Sequence, residues 1–337
     1  MSILSRLLQT PFLVRSFIRN VSYQKRFLEK HLGPKLNEAR ATSDGSLDES
    51  DFRKIRTYYG LAVPAILGEE IATLRGKPMT ERERLALTYQ GAMTGLFDDF
   101  FDKHDMPGEK LLAFIRDPKG TKGKNSGEEL FLDLFRKALD LSHDPALTIH
   151  YLGQVYKAQI DSLRQAGPGL SQEEIRKITI NKGGQSVLFY RSAMENPMRE
   201  SEEAAFYKIG GLMQFGNDIF DVYKDSTDNI DTLMTTTPKV DEVRQFFRQM
   251  QKESFLSFYA TGYPTRKIRK FLSMVSLSLC ARCYVCLDQL ESLEYLTDGC
   301  FKPKQYSRNQ LVCDLDTFIN KFHSIQYHIR QDTSFTV

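Results

Sequence analysis

No run of apolar residues in this 337-residue chain reaches the length of a membrane span, and no alternation of period two persists for long. The first absence leaves no candidate transmembrane helix. The second argues against a sheet-built fold. Five cysteines in a chain of this length do not make a disulfide framework, which points to a reducing, cytoplasmic compartment. Among only six histidines no Ser–His–acid or Cys–His arrangement stands out. Charge of one sign is also lacking: 46 Lys and Arg against 43 Asp and Glu leave +3, with the basic residues scattered among acidic ones, so no nucleic-acid partner is implied.

What is present is helix. Helical patterns separated by short Pro, Gly and Asp breaks run through most of the sequence, so the expected class is all-α, as one large domain over 46–337. It follows an N-terminal arm or first helix over 1–45. Met1 to Phe27 has no acidic residue and carries Arg6, Arg15, Arg19, Lys25 and Arg26 among Leu, Ile, Phe and Val. That pattern fits an ordinary first helix, a transit peptide or an interfacial helix, and makes the arm a candidate for peripheral membrane contact.

The segment Leu85 to Asp105 reads as one helix, opened by a Thr80/Glu83 capping box. Gln90, Thr94, Asp98 and Asp102 share one line along it, and nearly everything else is apolar or small. Asp98, Asp99 and Asp102, with Asp105 nearby, lie within about one turn and offer hard oxygen ligands of the kind magnesium takes. A second segment, Glu203 to Asp225, repeats the design, with Asn217, Asp221 and Asp225 at i, i+4 and i+8 on one face. Gly91, Ala92 and Gly95 leave room beside the first helix. Tyr89, Phe97, Phe189, Tyr190, Phe206 and Phe215 are aromatic surface for a cation, each with core packing as the competing role.

The run LFDDFFD resembles the first aspartate-rich motif, DDxxD, of class I isoprenoid synthases. The second segment resembles their second motif, both as NDxxSxxxE of terpene synthases with aspartates in place of its serine and glutamate, and as QxxNxxxDxxxD from Gln214, similar to squalene synthase. The resemblance implies a helical bundle with a central active-site cavity and a prenyl diphosphate substrate. It implies Mg²⁺ held by Asp98, Asp99 and Asp102 and by Asn217, Asp221 and Asp225. It implies diphosphate contacts among Lys182, Lys224, Tyr306 and Arg308, and a helix broken at Lys182-Gly183-Gly184-Gln185-Ser186; close helix packing at the paired glycines is the alternative there. The implied activity is ionisation of an allylic diphosphate as a terpene synthase-like lyase. Alternatives are prenyl transfer, by elongation or head-to-head condensation, and a non-catalytic binding protein; a homodimer is compatible with any of them. Against elongation, Lys103-His104-Asp105 stands where paired arginines usually follow DDxxD.

Four further features have bland readings. The loop Asp117 to Gly127 is a candidate phosphate lid or an ordinary surface loop. The polar 225–238 segment is a candidate closing loop. Cys280, Cys283 and Cys286 suit helix packing better than an iron–sulfur cluster. Asp140 and His143 are the nearest approach to a di-iron pair.

Overall fold

The computed structural model describes residues 3–104, 106–167 and 169–330, with every side chain among them except that of Asp102. Asp105, expected beside the first aspartates, lies outside the described residues. Among the described residues the chain is helical, with no strand, in agreement with the expected class. It divides into two compact units: an N-terminal unit of 13–153 and 189–197, and a C-terminal unit of 3–12, 154–188 and 198–330. The boundary expected near residue 45 falls inside the N-terminal unit.

In the N-terminal unit, helix α1 (Ile3–His31) supplies Gln24, and helix α2 (Glu81–Asp102) starts at Thr80 with both halves of the capping box formed, as the sequence predicts. Between them in sequence, the helical stretch 49–75 is widened twice, into π-helical turns at Lys54–Tyr59 and Val63–Gly68. Pro64 opens the second of these and has no N–H to give to the Gly60 carbonyl one turn earlier. The fully buried Gln24 donates to that carbonyl instead, at 3.2 Å, and to Thr88 Oγ1 of α2 at 2.9 Å. One amide side chain thus satisfies the group that proline leaves unpaired, and ties α1 and α2 together. Helix α3 (Ser126–Leu141) packs along α2, where Phe131 meets Phe97 and Phe100 with ring centroids 5.9 and 5.2 Å apart.

In the C-terminal unit, helix α4 (Gln172–Arg191) runs without a break through the paired glycines, contrary to the break the resemblance implies. The reason lies in the opposing helix α5 (Glu200–Phe220). A Cβ on Gly183 would sit 2.1 Å from the Gly210 carbonyl oxygen, and one on Gly184 would sit 2.4 Å from the Tyr207 ring. The glycines serve close backbone approach, not local unwinding. Helix α6 (Val222–Thr227) continues from α5 after a bend at Asp221, and the backbone bonds Asp221 N to Asn217 O and Asp225 N to Asp221 O carry the ladder through it. Helices α7 (Val240–Ser257), α8 (Ala281–Ser292) and α9 (Phe318–Arg330) complete the unit. A Cβ on Gly216 of α5 would lie 3.1 Å from Cys283 Sγ, so that thiol serves helix packing.

One stretch corrects the reading that no segment could span a bilayer. Thr265–Thr297 is helical and apolar enough by length and composition. However, 61% of its most apolar window is buried inside the protein, as in the core helix of a folded domain.

Candidate active site

The first aspartate motif lies in the N-terminal unit, at the C-terminal end of α2. Gly91 and Gly95 do not open a cavity beside it. A Cβ on Gly91 would meet the Tyr59 carbonyl oxygen at 2.5 Å, and one on Gly95 the Tyr59 ring at 3.3 Å, so the space is filled by the Lys54–Tyr59 turn. That π turn has a direct consequence for the aspartates. In an α-helix residues five apart point about 140° away from each other; the wider i→i+5 ladder of a π turn brings them onto one face. Lys54 and Tyr59 therefore both reach α2, where Lys54 Nζ lies 2.5 Å from Asp99 Oδ1 and Tyr59 Oη donates to Asp98 Oδ2 at 3.0 Å.

The two neighbouring carboxylates have different surroundings. Asp98 is half-buried, and its charge, with burial, raises the Tyr59 hydroxyl well above its usual pKa. Burial and Asp98 likewise raise Tyr190, which donates to Thr94 on the same line of α2 at 2.9 Å. Asp99, expected as a third metal ligand, is instead buried in a lysine-rich network, with Lys103 Nζ 3.1 Å from its second oxygen and 2.9 Å from Asp51. Against burial, hydrogen bonds from Asp51, Lys54 and Lys103 hold Asp99 below the usual carboxylate range, while burial and Asp99 push Asp51 up. Asp99 thereby anchors the end of α2, and Asp98 remains as the described carboxylate of the motif on the polar line.

The second motif lies in the C-terminal unit and is built by the glycine crossing. Close approach of α4 to α5 at Gly183 and Gly210 brings Thr179 and Lys182 to the face of α5 that carries Gln214 and Asp218. Asp218, buried, accepts from Thr179 Oγ1 and Gln214 Nε2, each at 3.0 Å. Burial, with Asp221 adding and Gln214, Thr179 and Lys182 opposing, pushes its carboxyl up to about 6. Asn217 Nδ2 donates to Asp221 Oδ2 at 3.0 Å, which confirms the shared face of that i, i+4 pair. Asp225 is pushed up to about 8 by burial and by the charges of Asp218 and Asp221, with Lys224 and Lys182 opposing. This is a cluster of carboxylates whose negative charge is only partly balanced.

Its oxygen donors, Asn217, Asp221 and Asp225, fit the hard-ligand chemistry of magnesium, since a divalent cation would relieve the repulsion that raises Asp225. Among the described residues, however, no three His, Cys, Asp or Glu side chains already stand together as a metal-ready group. Lys182 and Lys224 both act on this cluster, as diphosphate contacts would require. Arg308 is brought near it, its guanidinium carbon 6.0 Å from the ring of Tyr223 in α6. Tyr306 is not so placed: its buried hydroxyl is 2.5 Å from Thr297 Oγ1 and accepts from Lys302 N, which holds its own loop closed.

Several expected cavity and lid elements prove structural. Phe97, Phe206 and Phe215 are buried among other rings, Phe206 with Phe258 and Phe215 with Phe246 and Phe247. The Asp117–Gly127 loop is pinned, with Arg136 donating to the carbonyls of Pro118 and Thr121 and Glu128 and Glu129 accepting from Lys124 N and Gly123 N. The 225–238 loop contains a capped turn, Leu233–Thr236, and exchanges two bonds with Gln165 through Asp231. Asp140 pairs with Lys119 at the surface, which leaves no di-iron arrangement with His143 among the described residues. Sequence reasoning missed Lys54, Tyr59 and Thr179. The glycines at 91, 95, 183 and 184 were the signal, since each marks where a second backbone comes close enough to deliver such side chains.

No protein-family model, no curated protein and no solved structure matches this chain.

Proposed function

We propose that this chain is an enzyme that ionises an allylic prenyl diphosphate with the help of Mg²⁺, in the manner of class I isoprenoid synthases. The observation that carries the reading is the carboxylate cluster on α5 and α6. Asn217 is bonded to Asp221, and Asp225 is lifted to about 8 by burial and its acidic neighbours, with Lys182 and Lys224 acting on the same charges. Asn217, Asp221 and Asp225 would hold a metal, and by the resemblance Asp98 and Asp102 would hold metal at the first motif. Bound Mg²⁺ would neutralise charge on the departing diphosphate.

This chain's own residues would do the rest. Lys182, Lys224 and Arg308 supply cationic contacts to the diphosphate oxygens, and Thr179 with Gln214 fixes Asp218 behind the ligands. The allylic C–O bond breaks, its electron pair leaves with diphosphate, and the carbocation then loses a proton from a neighbouring carbon, directly or after cyclisation.

A second reading concerns the fate of that cation. The uninterrupted α4 lacks the broken-helix diphosphate sensor implied by the terpene synthase comparison, and Gln214 fits the squalene synthase-like QxxNxxxDxxxD pattern. Both favour capture of the cation by a second prenyl chain. Incubation with Mg²⁺ and allylic diphosphates of several lengths, with and without isopentenyl diphosphate, followed by product analysis, separates the readings. Diphosphate release from one allylic substrate alone supports the lyase, and dependence on a second prenyl chain supports transfer. Tight binding without turnover of any substrate would leave a non-catalytic binding protein.

A further inference from the structure

Within the C-terminal unit, helix α8 turns one face toward the segment that leads into α9. Gln289 of α8 donates through Nε2 to the Gln310 carbonyl at 2.7 Å and to the Val312 carbonyl at 3.3 Å, which pins the chain after the Arg308–Leu311 turn against the helix. Cys286 lies three residues before Gln289, on the same face of α8. The pinned segment brings Cys313 to it, and the two thiols share a hydrogen bond. Asn320 of α9 closes the other side, donating through Nδ2 to Cys313 Sγ at 3.7 Å and to the Asp314 carbonyl at 2.8 Å. The two thiols differ in access: Cys286 is buried, whereas Cys313 is partly open to solvent. They differ in protonation too. The bond from Cys286, with Arg282 adding and burial and Asp314 opposing, holds Cys313 below the usual thiol range, and the same bond with burial pushes Cys286 up. Cys280 and Cys283 are fully buried, and Cys300 is exposed.

We propose that Cys313 is a site of oxidative modification resolved by Cys286, so that a small-molecule disulfide such as glutathione disulfide drives a reversible Cys286–Cys313 bond. The Cys313 thiolate attacks one sulfur of glutathione disulfide; that S–S bond breaks, and its electron pair leaves with one glutathione, which takes up a proton. Cys286 then gives up its proton, attacks the Cys313 sulfur of the mixed disulfide and expels the second glutathione. Two cysteine thiols are oxidised by two electrons and one glutathione disulfide is reduced to two thiols. The protein keeps no adduct. The new bond ties the chain after the Arg308–Leu311 turn covalently to α8, and in a reducing compartment it forms only while the thiol pool is oxidised.

The test uses the folded full chain carrying Cys300→Ser, which removes the exposed thiol, treated with glutathione disulfide and quenched with acid. Peptide mapping without reductant should find Cys286 joined to Cys313 and no retained glutathione. With Cys286→Ala added, the glutathione adduct on Cys313 should persist at least about tenfold longer, and with Cys313→Ala added, Cys286 should stay reduced. Closing the loop should raise the melting temperature by a few degrees, and dithiothreitol should reverse the rise. The mapping needs no substitution at either thiol, so it decides the matter even where Cys286→Ala folds poorly. Both thiols left reduced in the treated chain, an adduct equally long-lived with and without Cys286, a bond joining two chains, or a cross-linked chain that melts no higher than the reduced one would each overturn the proposal. The readout uses no prenyl substrate, so it stands or falls apart from the proposed enzyme activity.

Discussion

Asp225→Asn tests the electrostatics of the second motif directly. In the folded protein the Asp225 carboxyl is raised from 3.8 to about 8 by burial first and by Asp218 and Asp221 after it. A carboxyl whose folded pKa is raised holds its proton more tightly in the folded state. Its contribution to stability is therefore full below about pH 4 and is lost as pH rises through about 8. The gap sets a ceiling of about 6 kcal/mol. Residual contact of the half-buried side chain with water screens the charge and brings the expected cost to about 1–3 kcal/mol at pH 9. Asparagine carries no such charge. In metal-free buffer the variant should melt with the parent at pH 4 and a few degrees above it at pH 9. Millimolar Mg²⁺ at pH 9 should raise the parent and close most of that difference, because the ion supplies the compensation that the substitution supplies otherwise. Scanning calorimetry at both pH values, with chelator and with Mg²⁺, reads all four conditions. A variant less stable than the parent at pH 9 without metal would refute the reasoning.

Gly183→Ala should cost about 2–4 kcal/mol in denaturant unfolding, because the new methyl group meets the Gly210 carbonyl oxygen at 2.1 Å and neither helix backbone can yield cheaply. Lys54→Met should cost about 2–3 kcal/mol by removing one of the two ammonium groups on buried Asp99; Lys54→Met/Asp99→Asn should recover part of that loss, whereas full additivity would contradict the network. Tyr59→Phe removes the 3.0 Å bond to Asp98 and should cost about 1 kcal/mol in melting experiments, with no change in helix content by circular dichroism. Asp140→Asn, at a surface pair with Lys119, should leave stability within about 0.5 kcal/mol of the parent.

Local chemistry in the sequence announced local structure well. Thr80 with Glu83 forms the reciprocal bonds its spacing suggests, and the i, i+4 pair Asn217 and Asp221 is bonded as one face. What stayed hidden depends on a partner far along the chain. Lys54 and Tyr59 reach adjacent aspartates only because the turn between them widens, and the chain widens there against glycines more than thirty positions away. The role of Asp99 was concealed likewise, since DDxxD spacing cannot reveal that two lysines claim its middle carboxylate. The Gly183-Gly184 pair fits either a helix break or a close crossing, and only Gly210 and Tyr207 on the opposing helix decide between them.

Turnover and melting temperature measured together on Asp98→Asn and Asp221→Asn, with Mg²⁺ and an allylic prenyl diphosphate, test the proposed activity most directly. Both variants should keep or slightly raise the melting temperature in metal-free buffer while losing diphosphate release by orders of magnitude, since each weakens an ion that must stabilise the departing charge. Diphosphate release at the parent rate in both variants would contradict the account.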